Sequence, residues 1–336
     1  MAMIDWVTAL LPCNHNPAVL RSGSHVKIDQ AGNIEYVKEL SLGVVGSYDA
    51  CLYVSSSTDH TIQIFGNPAK FLQGHNVFGP SDLLYLVAKT FAALCARPEL
   101  ELSPTPEQLQ AIDNGDYRVL RVDVNCTYLL DGPASCRAFV RALGTNASLR
   151  HRGAGQLKGD TAYFGLGSSH GGLRCYYKGD EVLAKGHQIH ADLQIPELMD
   201  FASKAVRFER FMYSKMLKRL GLDWAANWTD STPSVLLSDY LQGLQLPDNM
   251  PVPDDILQNL KPGLRSAYVL WKDGVDLRQV YSKAQFYRYR RDLLAYGIDV
   301  LIVQDSQRTN VVPMVRLLEA RPAEIPQWAY DRGLVA

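Results

Sequence analysis

The chain has 336 residues, more than one typical hydrophobic core organises, so two or more domains or subdomains are expected. It is 47% hydrophobic and 21% charged with a formal net charge of −1, the balance of an ordinary globular protein. That charge excludes a whole-molecule basic field for nucleic acid, so any DNA contact must come from local patches.

In chain order, residues 3–11 read as a first strand ending at Pro12, and the acidic, leader-free N-terminus is no signal peptide. Two alternating runs around Ala31-Gly32-Asn33 predict a hairpin over residues 25–41. Leu52–Ser56 and Thr61–Phe65 continue as strands, while Asn67–Lys70 and Gly74-His75-Asn76 read as turn and polar loop. Ser81-Asp82 caps a helix to about Ala96, which Lys89 marks as a core helix; no apolar run approaches the ~18 residues of a membrane span. A short helix over 104–114, a long strand over 116–130 and a helix over 133–143 follow. Two strands then flank the loop Gly165–Gly172, which lacks the strand-to-helix context and Lys-Ser/Thr ending of a phosphate-binding loop. Residues 180–191 read as helical, 196–204 as a helix, and 207–209 as a strand. From about Lys215 the pattern turns mostly helical, with a soft boundary near 225 and breaks at Pro247, Pro251 and Pro253. Helices over 264–270, 277–280 and 282–296, with a tight turn at Lys272-Asp-Gly274, suggest a helix-turn-helix arrangement. Segments 299–303 and 311–318 close the chain.

Six scattered cysteines form no CxxC pair, which disfavours a zinc site; Cys126 and Cys175 read as buried thiols, and a reducing cytoplasm fits best. His187 and His190 lie at i and i+3 without a matching ligand set and read as a solvated helix end; His75 and His170 have no assigned role.

Three segments carry the chemistry. Alternate side chains of a strand share a face. Arg121, Asp123 and Asn125 therefore oppose Leu120, Val122 and Val124. Arg174, Tyr176 and Lys178 oppose Leu173, Cys175 and Tyr177, and Arg207 and Glu209 oppose Val206 and Phe208. Each Arg-x-acid pair alone is most simply a cross-strand salt bridge, and an aromatic on a strand is usually core, as Tyr177 should be. If the strands are neighbours, two carboxylates, a tyrosine and several cations meet on one surface. Carboxylates suit Mg²⁺ or Mn²⁺, cations neutralise phosphate, and a tyrosine hydroxyl can attack phosphorus. That is the equipment of an enzyme that cuts a DNA strand and stays attached to it. Farther on, Lys283, Arg288, Arg290 and Arg291 interleave with aromatics, and residues 261–310 hold nine basic and five acidic residues, a local +4 suited to phosphate contact and stacking.

These residues resemble the gene II-type replication initiators of filamentous phages (inoviruses). The resemblance rests on Met3-Ile-Asp5 with Leu11-Pro12, on Pro68 to Gly79 followed by Asp82-Leu83, and on Arg121-Val-Asp123. It continues through Tyr176-x-Lys178 with Glu181, Val206-Arg-Phe-Glu209 and Asn310 to Arg316, and so spans nearly the whole chain. The trio of strand segments is also similar to rolling-circle initiators of staphylococcal plasmids. The resemblance implies an α+β fold: an antiparallel-rich nickase domain with flanking helices over 1–225, then a mostly helical DNA-binding region over 226–336. It implies a metal-dependent, site-specific nick through a 5′-phosphotyrosyl link at Tyr176, with Lys178 and Arg174 assisting. Asp123, Glu209 and, least securely, Glu181 then fall at the acidic positions assigned to Mg²⁺ or Mn²⁺. Arg121, Arg207 and the 283–291 cations are expected to face the phage origin, both as duplex and as an exposed single strand. A host helicase and DNA polymerase enter as family partners, with oligomerisation on DNA conceivable and no membrane partner. Tyr177 beside Tyr176, and Arg174 in place of an aliphatic residue, depart from the family pattern. The alternatives are a non-catalytic origin-binding regulator on the same scaffold and, less well supported, a small-molecule phosphotransferase.

Overall fold

A computed structural model describes residues 2–245, 260–294, 300 and 322–335. Ten strands make its centre: β1 (Met3–Pro12), β2 (Arg21–Ile28), β3 (Ile34–Val45), β4 (Cys51–Thr58), β5 (Thr61–Gly66), β6 (Arg118–Leu129), β9 (Gln156–Lys158), β10 (Thr161–Phe164), β11 (Gly171–Tyr177) and β12 (Ala205–Tyr213). They form one antiparallel sheet in the order β2-β3-β4-β5-β1-β6-β12-β11-β10-β9. Three short strands, β7 (Ser148–Leu149), β8 (Gly153–Ala154) and β13 (Leu244–Gln245), make a small separate sheet. The sheet and its helices give the expected α+β architecture, and the three Arg-containing strands β6, β12 and β11 are neighbours.

Alternation decides which face is buried. Val122, Val124 and Cys126 of β6 and Val206 and Phe208 of β12 are at most 2% exposed and point into the main core, as do Leu173, Cys175 and Tyr177 of β11. Helix α2 (Leu83–Cys95), capped by the Asp82 side chain on the Tyr85 amide, buries Leu83, Leu86, Val87, Thr90, Phe91 and Leu94. Its 3- and 4-residue spacings make one apolar stripe. Helix α4 (Pro133–Asn146) adds Cys136, Phe139, Val140 and Leu143, with the Phe139 ring edge-on to Phe208. Replacing Phe208 by alanine would cost about 3–5 kcal/mol. The Gly165–Gly172 loop is a hairpin turn between β10 and β11, as expected. Gly171 sits at φ +110, and a Cβ there would lie 2.0 Å from the Phe211 carbonyl oxygen, so only glycine lets β11 approach β12 at this point.

Two local expectations need correction. Residues 67–76 are not merely a loop: α1 (Pro68–Gln73) forms there, with Asn67 as N-cap, Pro68 in its first turn and Gly74 left-handed at its end. Residues 180–191 do not form a helix. After one turn, α5 (Lys178–Glu181), the chain enters turns through Gly186 at φ +83, which a helix interior does not accommodate. His187 and His190 are therefore on irregular backbone; His187 faces Glu181 at 3.5 Å and the His190 ring lies against Tyr48.

The remaining helices are α3 (Pro106–Asp113), α6 (Pro196–Lys204), α7 (Ser214–Leu220), α8 (Thr232–Leu241), α9 (Pro262–Lys272), α10 (Leu277–Val280), α11 (Lys283–Leu294) and α12 (Gln327–Asp331). Leu236 and Leu237 of α8 join the main core, whereas Leu264, Ala267, Tyr268, Trp271, Leu277, Phe286 and Leu293 build a second one from α9, α10 and α11. The predicted segments 299–303 and 311–318, the motif Asn310–Arg316 and the three proline breaks lie outside the described residues, apart from Val300. Among the described residues no helix is long and apolar enough to cross a membrane.

Candidate active site on the sheet

The second sheet face carries the polar residues. Arg174 is paired in register with Glu209, Tyr176 with Arg207, and Glu209 with Asn125. Directly paired residues of an antiparallel ladder point to the same side. Glu209 thus sits between Arg174 on one flank and Asn125 on the other, with Asp123 two residues along β6. The Tyr176 hydroxyl donates to Glu209 Oε2 at 3.1 Å. Arg174 forms an ion pair with Glu209 and reaches Asp123 at 3.5 Å. Arg121 grips Asp123 through Nε at 2.8 Å and Nη2 at 2.6 Å.

The carboxylates are wholly buried. Burial pushes the Asp123 carboxyl up to about 7; the Arg121 hydrogen bonds oppose that rise and the adjacent Glu209 charge adds to it. Burial also acts on Glu209, but Arg174 outweighs it and holds that carboxyl below its ordinary range. The Tyr176 hydroxyl is driven well above its usual value by burial and by Glu209. Two acids are thus pushed apart by one environment, as like charges at close range require.

Near Tyr176 lie Lys178 and Glu181, both expected at the site, together with Asp5, Asn67, Asn76 and His75, to which the sequence assigned no role. Lys178 is fully buried; its Nζ donates to Asn76 Oδ1 at 2.7 Å and pairs with Glu181 at 2.5 Å. Burial lowers the Lys178 ammonium to about 8 despite Glu181. Asn76 and Asn67 each donate from Nδ2 to Asp5 Oδ1 at 2.8 Å. Asp5 lies where the β1–β6 register shifts between Ile4 and Trp6, a bulge that turns its carboxylate inward. Burial, then Glu209, raises the Asp5 carboxyl, while Lys178 and Arg207 restrain it. His75 is fully buried beside them and is lowered to about 4 by burial, Lys178 and Arg207.

Arg207 and Glu181 are placed differently from the sequence expectation. Arg207 is 0% exposed, and its guanidinium donates to the carbonyl oxygens of Asn76 (2.5 Å) and Val77 (2.6 Å). It clamps the 75–77 loop to the sheet, and its side chain has no exposed surface in this structure. Glu181 is held by Lys178 and His187; burial would raise it, but Lys178 keeps it well below the carboxylate range. Among the described residues no group of three or more His, Cys, Asp or Glu could share a metal ion. The Asp123–Glu209 pair nevertheless suits one hard cation. Asn125 Oδ1, buried on the same face, has no hydrogen-bond partner among the described residues and adds a third oxygen donor. Mg²⁺ is commonly held by one or two carboxylates plus substrate phosphate oxygens.

The other histidines and the second tyrosine lie off this face. The Tyr177 ring is in the core, its hydroxyl donating to the Ser203 carbonyl at 3.0 Å. His170 lies in the hairpin turn, its carbonyl accepting from the Tyr213 amide. On α11, Phe286 and Leu293 are buried in the second core, while Lys283, Arg288 and Arg291 are exposed and Arg290 is half-buried. Lys283 also lines, with Arg278, Tyr281, Phe286 and Tyr287, an open hollow of about 260 Å³.

One end of the site face is roofed. Val77, Phe78, Val182, Ile189, Leu193, Leu198, Ala202, Ala329 and Leu334 form a third apolar cluster drawn from three distant stretches. The Ala323 amide donates to the Thr127 carbonyl at 2.7 Å, stitching residues 322–335 to β6.

With this geometry in view, comparison with known proteins decides the family. Residues 3–231 match the model of the N-terminal region of the gene II-type phage replication-associated protein, and 253–335 match that of its C-terminal region. The chain belongs to this replication-associated protein family. It is similar to the replication-associated protein of Enterobacteria phage I2-2, with 32% identity over 98% of this chain and 96% of that protein. The corresponding protein of Salmonella phage IKe is 22% identical over 80% of the chain and 74% of that protein, and that of Enterobacteria phage fd 29% identical over 48% and 42%.

Proposed function

We propose that this protein initiates rolling-circle replication of a filamentous phage genome by nicking one strand of the origin at Tyr176 and later rejoining it. Membership in a replication-associated phage family supports the replication role. The observation that carries the chemistry is the Tyr176 hydroxyl bonded to Glu209 on a buried face where Asp123 and Arg174 converge. Tyr176 Oη attacks the scissile phosphorus in line, the P–O3′ bond breaks, the 3′-oxygen leaves as an alkoxide and takes a proton from water to become the 3′-hydroxyl, and the 5′-phosphate becomes a tyrosyl ester. The phenol proton passes to the carboxylate it already faces, and Arg174 and Lys178 face the charge that grows on the phosphate oxygens. Asp123, Glu209 and Asn125 would hold Mg²⁺ or Mn²⁺, which supplies Lewis-acid polarisation of the phosphate. In rejoining, a 3′-hydroxyl attacks the phosphotyrosine and returns the phenol; the ester conserves the phosphodiester bond energy, so no nucleotide cofactor is required.

Lys283, Arg288 and Arg291 give the duplex grip through phosphate contacts. Host helicase and polymerase use the opened strand and the 3′ end; this part rests on the family alone.

The test is supercoiled origin DNA with Mg²⁺ and wild-type or Tyr176→Phe protein, read by gel and by mass spectrometry of the peptide bearing the 5′ end. A nick with DNA attached at Tyr176, absent in the variant, is the expected result. Equal nicking by the variant overturns the nucleophile. A second reading, a non-catalytic origin binder, draws on the arginine pairing of Asp123 and Glu209, which leaves neither charge uncompensated. It requires origin binding with no nick by wild type under any divalent cation.

A further inference from the structure

The site face is closed at its Thr127–Arg207 end but opens toward the start of β6. Along that strand the side chain of Asp123 is 0% exposed, Arg121 26% and Arg118 44%. Aromatic rings flank both arginines. The Arg121 guanidinium lies 4.8 Å from the Trp6 ring centre and 5.4 Å from that of Tyr213, and Arg118 lies 4.3 Å from that of Trp224, itself 40% exposed. Register puts these groups on one side of the sheet: Thr8 and Tyr213 both pair with Arg121, Trp6 with Asp123, and Trp224 bridges to Arg118. The row runs straight into the Asp123–Glu209 pair.

We propose that Trp6, Arg121 and Tyr213, extended by Arg118 and Trp224, form a single-strand track that receives unpaired nucleotides next to the cleaved phosphate. This rests on the nicking reading, which needs a melted strand to reach Tyr176, and it names how that strand is held. Aromatic faces bind bases regardless of sequence, and arginines between the rings add cation–π and phosphate contact. Arg121 and Arg118 are partly neutralised by Asp123 and Asp223, so the rings, not net charge, supply most of the grip. A purely structural role for these pairs would fix the fold without touching DNA.

The experiment measures anisotropy of a labelled oligothymidylate of roughly 12 nucleotides, within known single-strand site sizes. It is titrated with full-length wild type, Trp6→Leu, Tyr213→Leu and Trp6→Phe, each checked by thermal melting. Each leucine variant is expected to lose about ten-fold in affinity or more. Trp6→Phe should lose less than Trp6→Leu. Quenching of tryptophan emission by the oligonucleotide, measured in parallel, should shrink in Trp6→Phe, which covers the case of a leucine variant that does not fold. Folded leucine variants that bind as wild type, or quenching unchanged in Trp6→Phe, overturn the track. Failure of the Tyr176 assignment would show as nicking by Tyr176→Phe with the ring dependence intact, so the two readings fail separately.

Discussion

The β6–β12–β11 face and helix α11 both concentrate cations, yet they hold them in opposite ways. On the sheet, Lys178 and Arg207 are fully buried and every terminal nitrogen has an assigned partner among carbonyls, amides and carboxylates. On α11, Lys283, Arg288 and Arg291 stand in solvent around an apolar stripe of Phe286 and Leu293. The difference separates two uses of positive charge. Buried, partnered cations keep fixed positions and strong fields, which hold neighbouring carboxylates and loops in one arrangement. Exposed cations interact weakly and adaptably with many phosphates, which suits a grip.

The strongest way to break the comparison is Arg207→Met. It leaves the Asn76 and Val77 carbonyls without their donor and unbalances Glu209 and Asp5, and should cost about 3–5 kcal/mol in denaturant unfolding; a loss below about 1 kcal/mol would place Arg207 among surface-like charges. Next is Glu209→Gln, which keeps the shape but removes the acceptor of the Tyr176 proton and the partner of Arg174. Nicking should fall by roughly 10²–10³-fold with duplex binding retained.

His75 sharpens the comparison through pH. Its folded pKa, about 4, lies below the ordinary 6.5, so the fold keeps it neutral while the unfolded chain takes up a proton. Its contribution is fully present above pH 6.5 and is lost as pH falls toward 4, by on the order of 3 kcal/mol. His75→Phe should lack that part of the acid slope when both proteins are melted between about pH 4 and 7. The smallest effect belongs to α11: Arg288→Ala with Arg291→Ala should weaken duplex binding about equally for all sequences and reduce the salt slope by about 2. A sequence-selective loss would assign these arginines to base reading.

The legible and illegible parts of the site divide by kind of structure. Arg174, Tyr176, Asp123 and Glu209 lie on strand stretches where alternation holds, beyond the register shift between Val119 and Arg121 of β6, so period two alone sorted them from Cys175, Tyr177 and Phe208. Asp5 escaped because it sits in a bulge. The break is visible in the sequence, where apolar Ile4 and Val7 are three apart instead of two, but it reads as noise without the partner strand. Asn76 and His75 escaped because their roles come from contacts with Lys178 and Arg207 about a hundred residues away or more. Alternation also placed Arg207 on the correct face but could not reveal its burial, since the roof over it is assembled from residues 77–78, 182–202 and 325–335. The helix over 180–191 failed for a local reason, Gly186 in a left-handed turn, which hydrophobic spacing does not register.

The stitching of residues 322–335 onto β6 also orders events in time. During translation the sheet strands through Tyr213 emerge well before Ala323, Ala329 and Leu334 do. Until they do, the Thr127 end of the site face lacks its cover. Closure of the site would then arrive as a late step, after the ribosome has moved far past Tyr176, and a chain stalled before residue 322 would lack the cover over the Thr127 end of the face.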